Sequence, residues 1–220
     1  MLRLYVDIET IPGPNQPSIE EIAALAPKTM KKADTIQAWA EENADSEYRK
    51  QALDSMQGEI LAIGYAFEDA EPVCLIRGDG LDAEADLLAV FEQSVESLMA
   101  EFGSLRPVWI GHNVRAFDLP WLWRKALKYR LHDLARRIPR GRYDKDVEDT
   151  MEIWAADYKD RVGLSKVAAF LGLGGKTEGM DGSKVFDAWK AGELERIAGY
   201  CVGDVALVRD VHKIMSGEQA

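Results

Sequence analysis

Residues 59–76, EILAIGYAFEDAEPVCLI, contain two runs that are typical of β-strands, separated by an acidic segment. The run at 59–67 is rich in apolar and aromatic side chains, and the run at 72–76 is shorter but also apolar. Because only residues 68–71 separate the two runs, they are predicted to pair as an antiparallel hairpin. A sheet built around this hairpin must therefore contain antiparallel strands.

The flanking sequence extends this sheet with further strands and with helices. A buried strand is predicted at 2–8, and shorter strands are predicted at 107–111 and 147–153. Parallel strands require crossover connections, so this order of elements predicts an α/β fold with a mixed sheet, in which an antiparallel meander is continued by parallel crossovers. The helices are predicted, from their apolar spacing, at 82–102, 119–131, 163–171, 183–190 and 192–214.

The length of the chain, 220 residues, fits a single domain spanning residues 1–220. Residues 15–57 are polar and rich in Ala, Glu and Lys, and they are predicted to form a helical insertion between the first two strands. No apolar run reaches the roughly 20 residues that a membrane span requires. Cys74 and Cys201 lie in apolar segments, which argues against a disulfide scaffold and favours a cytoplasmic location.

The charge of the chain is unevenly distributed. The net charge is −11, from 27 basic and 38 acidic residues, which by itself argues against binding to a phosphate backbone. Residues 124–142, however, contain eight Lys or Arg residues against the single acid Asp133. This basic stretch is compatible with nucleic-acid binding, and a solvated helix face is the alternative explanation.

Asp7 and Glu9 stand at the end of the first predicted strand with one residue between them. Alternation along a strand places both side chains on the same face. At a separation of ~4 Å and an effective dielectric constant of ~20, their repulsion is about 4 kcal/mol, so a metal ion or a basic side chain is expected nearby. The alternative is that the strand ends there and that water solvates both acids.

Two further acids, Asp118 and Asp204, are candidates for a functional site. Asp118 follows a buried strand and opens a helix, where it would either cap the helix or serve a site, and Asn113 lies in the preceding turn. Tyr200 and Asp204 share one face of the last helix, close to its apolar side. An acid on that side requires a partner, although a core tyrosine beside a solvated acid is the alternative.

The three segments together resemble the DEDD, or DnaQ-like, superfamily of 3′–5′ exonucleases. Asp7-Ile8-Glu9 is similar to the first motif, Asn113-x-x-x-Phe117-Asp118 to the second, and Tyr200-x-x-x-Asp204 to the third in its tyrosine (DEDDy) form. The histidine form would have His where this chain has Gly199. The resemblance is nearest to the proofreading exonuclease domain of family B DNA polymerases in a free-standing version.

This resemblance implies a ribonuclease H-like fold whose five-stranded sheet has the order 3-2-1-4-5, with strand 2 antiparallel and helices on both faces. It implies two Mg²⁺ or Mn²⁺ ions, which prefer carboxylate oxygen. The metal ligands implied are Asp7, Glu9, Asp118 and Asp204. The catalytic residues implied are these four acids together with Tyr200, which orients the attacking water. The residues implied to contact the 3′ nucleotide are Thr10, Ile11, Asn113 and Phe117, the last of which core packing could equally explain.

The expected activity is release of nucleoside 5′-monophosphates from the 3′ end of single-stranded DNA, in DNA repair or proofreading. An RNA or short-oligonucleotide exonuclease is an alternative, because discrimination depends on contacts with the 2′-hydroxyl. A catalytically silent nucleic-acid-binding or polymerase-accessory module is a third, although all four acids and the tyrosine are intact. The expected partners are DNA or RNA 3′ ends and a polymerase or another replication or repair protein, with no membrane.

Overall fold

A computed structural model describes residues 2–103, 106–156, 160–174 and 179–218 of the chain. Five strands form one mixed sheet with the order β3-β2-β1-β4-β5. The strands are β1 (Arg3–Ile11), β2 (Glu59–Phe67), β3 (Val73–Ile76), β4 (Val108–Gly111) and β5 (Val147–Asp149). This order confirms the predicted α/β, ribonuclease H-like arrangement.

The strand directions also agree with the prediction. Strands β2 and β3 are antiparallel, whereas β1 pairs with β4, and β4 with β5, in parallel. The amide of Glu68, just after β2, donates to the carbonyl of Arg3 at the start of β1 at 3.1 Å. The end of β2 therefore meets the beginning of β1, so β2 runs antiparallel to β1.

Nine helices are present among the described residues, and most lie where the apolar spacing predicts them. Two single turns of 3₁₀ helix, at Lys50–Leu53 and Gly182–Lys184, accompany them. The helices are α1 (Ile19–Ala23), α2 (Ala33–Arg49), α3 (Glu84–Glu101), α4 (Asp118–Lys128), α5 (His132–Arg137), α6 (Thr150–Ala155), α7 (Leu164–Phe170), α8 (Val185–Lys190) and α9 (Leu194–Met215).

The structure corrects the prediction in two places. The strand predicted at 147–153 stops at Asp149, because the Asp149 carboxylate accepts the Met151 amide and begins α6. The helix predicted at 119–131 ends at Lys128, and Arg130 then adopts a left-handed backbone conformation with φ of 61°. The short helix α5, which follows inside the basic stretch, was not predicted.

The chain divides into two units, one made of the segments up to Glu9 and from Ile60 onward, the other of Thr10–Glu59. In the first unit, alternation along β1 assigns its side chains to two apolar cores. Leu4, Val6 and Ile8 belong to the core that contains Phe91 of α3. Tyr5 belongs to the core that contains Val205, Val208 and other apolar residues of α9. Asp7 and Glu9 share the alternation of Tyr5, so they lie on the α9 side of the sheet.

The second unit contains α1, α2 and the turn around Gly13. The hydroxyl of Ser18 accepts the Glu21 amide and the Glu21 carboxylate accepts the Ser18 amide, which caps α1. Gln51 accepts the Gly13 amide at 3.2 Å, and the Tyr48 hydroxyl donates to the Gly13 carbonyl at 2.8 Å. A Cβ atom at Gly13 would lie 2.0 Å from the Gln57 carbonyl oxygen, so only glycine fits this turn.

The helices of this unit lie within the segment 15–57 that was predicted to be a helical insertion. Whether the chain acts as a single domain stays a prediction. Across the described ranges, every helix is too short or too polar to cross a lipid bilayer.

Candidate active site

The two acids of β1 meet helix α9 on one side of the sheet. An oxygen of Asp7, an oxygen of Glu9 and the Sγ atom of Cys201 all lie within 4.8 Å of one another. Asp7 is half-buried, whereas Glu9 is only 6% exposed. The alternative explanation, in which the strand ends and water solvates both acids, is wrong for Glu9, because its side chain is buried and β1 continues to Ile11.

Asp118 adds a third carboxylate from a different part of the chain. It is the first residue of α4, and the helix has no side-chain cap, so capping is not its role. Instead, its Oδ1 atom accepts the backbone amide of Ile8, between Asp7 and Glu9, at 3.0 Å. Asp118 is buried, and burial raises its pKa well above the ordinary value, with the nearby negative charge of Asp7 adding to the increase. Asp118 therefore lies within the electrostatic reach of Asp7.

Tyr200 and Asp204 complete the group from α9. Both are buried, and the Tyr200 hydroxyl forms a hydrogen bond with the Asp204 carboxylate. Burial raises the pKa of Tyr200, and the charges of Glu9, Asp204 and Asp7 raise it further, because each opposes a second negative charge. The phenol therefore stays protonated at neutral pH, within the electrostatic reach of three carboxylates.

The structure brings the three predicted motifs to one place, since residues from β1, α4 and α9 interact there. Buried, clustered carboxylates repel one another, and a divalent cation with a preference for oxygen would relieve that repulsion. The oxygens of Asp7 and Glu9, which lie within 4.8 Å of each other, therefore fit a hard metal ion. The identity and number of the ions, and the role of each residue, stay predictions.

The residues predicted to contact the nucleotide lie in different surroundings. Asn113 lies in the turn after β4 with φ of 65°, and its side-chain oxygen accepts a hydrogen bond from Arg161 at 3.1 Å. Phe117 is half-buried and packs against the core, with its ring centroid 5.9 Å from that of Trp121. This contact favours the core-packing explanation of Phe117, although its exposed part leaves room for a second role.

Thr10 and Ile11 are the last two residues of β1 and belong to the second unit. The Thr10 hydroxyl donates to the carbonyl of Ala52 in the same unit at 2.6 Å. The contact of Thr10 and Ile11 with the nucleotide stays a prediction.

Asp149, the last residue of β5, has a structural role next to the site. Its carboxylate accepts the amides of Asn113 at 2.8 Å, Arg115 at 3.0 Å and Met151 at 3.0 Å. It thereby holds the β4–α4 turn in place, and its charge also contributes to the raised pKa of Asp118.

Cys201 was not predicted to lie at this site. A hydrogen bond with Cys74, together with burial, raises the pKa of its thiol, so the sulfur is held in the protonated form. Its spacing is the signal that could have identified it, because residues three apart on a helix are neighbours and Cys201 precedes Asp204 by three.

The raised pKa of Asp118 gives an expectation for stability in the absence of metal. The folded protein retains a proton that the unfolded chain loses near pH 4, so stability falls as pH rises from about 4 toward the raised pKa, by up to about 1.4 kcal/mol per pH unit. Asp118→Asn should remove this part of the slope, since Asn keeps an acceptor for the Ile8 amide. Urea unfolding in EDTA between pH 4 and 7 measures both slopes.

Asp79→Asn, in an exposed turn, is the matched control and should leave the slope as it is in the unmodified protein. If the free energy of unfolding of Asp118→Asn follows the same pH dependence as that of the unmodified protein, Asp118 does not have the raised pKa.

Comparison with known proteins gives a family match and a structural match. Residues 59–208 match the family model described as a predicted 3′–5′ exonuclease related to the exonuclease domain of PolB. The fold is similar to the family B DNA polymerase from the hyperthermophilic archaeon Pyrobaculum calidifontis, with a TM-score of 0.55 and 16% identity. The match covers 99% of this chain but only 24% of the polymerase chain, and at this identity it concerns the fold alone. No curated protein matches the sequence significantly.

Proposed function

Since the chain belongs to the family of predicted 3′–5′ exonucleases related to the exonuclease domain of PolB, we propose that it uses two metal ions to hydrolyse single-stranded DNA from the 3′ end. The products are nucleoside 5′-monophosphates. The observation that carries the proposal is the hydrogen bond from the Ile8 amide to Asp118, because it joins the second acidic motif to the first inside a buried site.

The chemistry of the donor set suits phosphodiester hydrolysis. Divalent ions, when bound, supply an activated water and stabilise both the attacking and the leaving oxygen of an in-line displacement. The residues that would hold them are Asp7, Glu9, Asp118 and Asp204.

Tyr200 has a role that follows from its hydrogen bond and its neutral state. Its hydroxyl proton is directed toward Asp204, so the phenolic oxygen remains able to accept a hydrogen bond from a water molecule. The raised pKa makes the phenolate rare at neutral pH, which excludes Tyr200 as the general base. We therefore assign it the orientation of the attacking water. This role supports the proposal that the chain is of the tyrosine form of the superfamily.

The same site could act on RNA, and the substrate strand is the first property to measure. DNA and RNA 20-mers, labelled at either the 5′ or the 3′ end, are incubated with Mn²⁺ and resolved on a denaturing gel. We expect a ladder that shortens from the 3′ end of the 5′-labelled DNA, and immediate release of a labelled mononucleotide from the 3′-labelled DNA. RNA should be degraded more slowly.

Asp7→Ala is the control for contaminating nucleases. Faster degradation of RNA than of DNA would replace the proposed substrate, and cleavage inside the strand would contradict an exonuclease. Absence of metal-dependent degradation of either strand would favour the silent binding module. A role in repair or proofreading, and association with a polymerase, belong to the same proposal and depend on this result.

A further inference from the structure

A pocket with a volume of about 270 Å³ lies beside the first turns of α4. Of the eight residues that line it, three are arginines and none is acidic. On a chain with a net charge of −11, this is a local concentration of positive charge. Two of the arginines, Arg124 and Arg140, belong to the basic stretch 124–142 and are exposed.

The aromatic side chain of the pocket is Trp123. It is half-buried, and the guanidinium carbon of Arg140 lies 5.2 Å from its ring centroid. Indole rings with an adjacent guanidinium are surfaces on which nucleobases stack, and such stacking tolerates any base. The neighbouring Trp121 is buried in the core, so of these two tryptophans only Trp123 offers an accessible face.

The third arginine builds the wall of the pocket. Arg115 donates to the carbonyls of Gly141 at 3.0 Å and Val147 at 3.0 Å, and to the Glu152 carboxylate at 3.1 Å. These bonds hold the segment that carries Arg140 against the turn before α4. Arg115 therefore positions the pocket, whereas Arg124 and Arg140 line it with side chains that solvent can reach.

The pocket lies close to the acidic site along the same helix. Asp118 is the first residue of α4, and the next two residues, Leu119 and Pro120, line the pocket. Trp123 follows Asp118 by five residues, which is about 7.5 Å of helix rise and about 140° of rotation around the helix axis. A strand that reaches both places therefore passes around the first turn of α4. The volume is below the roughly 300–1,000 Å³ of sites for drug-sized ligands, and it suits one nucleotide.

We propose that this pocket binds one nucleotide of the substrate strand, on the 5′ side of the nucleotide that is removed. The base stacks on Trp123, and the flanking phosphates face Arg124 and Arg140. The identity of the ligand as a substrate strand rests on the proposed function, whereas binding at the pocket does not require catalysis.

Binding is measured by fluorescence anisotropy with 5′-fluorescein-dT12 in EDTA, which prevents metal-dependent cleavage. Arg124→Ala/Arg140→Ala should raise the Kd at least about tenfold. It should reduce the slope of log K against log salt by about 1.4, or 0.7 for each lost phosphate contact. Trp123→Leu should raise the Kd roughly fivefold or more without changing that slope.

Arg136→Ala/Lys145→Ala is the matched control, because it removes two exposed charges from the same region outside the pocket lining. Its Kd should change less than threefold. If both double variants weaken binding equally, general electrostatic attraction explains it and the pocket proposal is wrong. An unchanged Kd for Trp123→Leu would also overturn it.

Two competitors separate other ligands from a strand. If dTMP displaces dT12 at equal nucleotide concentration, the pocket is a mononucleotide site, and if polyglutamate does so, it is a site for an acidic protein; either result overturns the proposal. If the protein degrades no DNA but the pocket variants weaken dT12 binding as expected, only the proposed function is wrong. If the protein degrades DNA but the pocket variants bind dT12 normally, only the pocket proposal is wrong.

Discussion

Asp7→Ala should reduce the rate of 3′-end degradation by more than about 1,000-fold, on the order of 4 kcal/mol of transition-state stabilisation. The reason is its central position. The charge of Asp7 acts on Asp118, on Tyr200 and on Cys201, so its carboxylate reaches every segment that contributes to the site. Single-turnover digestion of a 5′-labelled strand at saturating Mn²⁺ measures the rate of the chemical step.

Folding of this variant is checked separately, because a loss of activity through unfolding would carry no information. Removing one of several repelling carboxylates should leave the metal-free protein at least as stable as before, and urea unfolding in EDTA tests this. Asp79→Ala, an exposed acid in the turn after β3, should retain full activity. A folded Asp7→Ala protein that works within tenfold of the unmodified rate would remove Asp7 from the catalytic group.

Mn²⁺ or Mg²⁺ should raise the melting temperature by roughly 5–11 °C at a concentration 100 times the Kd. Ligand linkage supplies about 2.7 kcal/mol at that ratio, and for a domain of this size each kcal/mol corresponds to about 2–4 °C. The physical cause is neutralisation of the carboxylates, whose repulsion contributes to the raised pKa of Asp118 in the metal-free protein. Thermal unfolding with increasing metal chloride, reversed by EDTA, measures the effect.

The controls for this expectation separate site binding from general salt effects. NaCl at equal ionic strength should leave the melting temperature nearly unchanged, since screening does not require a specific site. Asp7→Ala should lose most of the increase produced by Mn²⁺. An equal increase with NaCl, or an undiminished increase in Asp7→Ala, would show that the metal does not bind at the four carboxylates.

Much of the fold could be predicted from the sequence, because local patterns carry its elements. Apolar runs identified all five strands, and the short spacer between β2 and β3, residues 68–72, favoured their antiparallel pairing. The 3.6-residue spacing of apolar side chains identified α3 and α9 within a few residues. One error arose where a single side chain overrode the pattern. The Asp149 carboxylate starts a helix inside a run that was predicted to be a strand.

Residue types and spacing also determined which side chains to consider at the site. Alternation places Asp7 and Glu9 on one face of a strand, and helical periodicity places Tyr200 and Asp204 on one face of a helix. These relations depend only on neighbours in the chain. They therefore follow from sequence alone, and they are the reason that the resemblance to the exonuclease motifs could be recognised.

Only the tertiary structure decided how residues distant in sequence meet. The bond from the Ile8 amide to Asp118, the approach of Cys201 to Asp7 and Glu9, and the pocket joining Arg115 to Arg140 each link segments that no local periodicity relates. Their placement depends on strand order and on which core each helix covers. The physical reason is that side-chain direction is a local property of the backbone, whereas proximity is set by the packing of the whole chain.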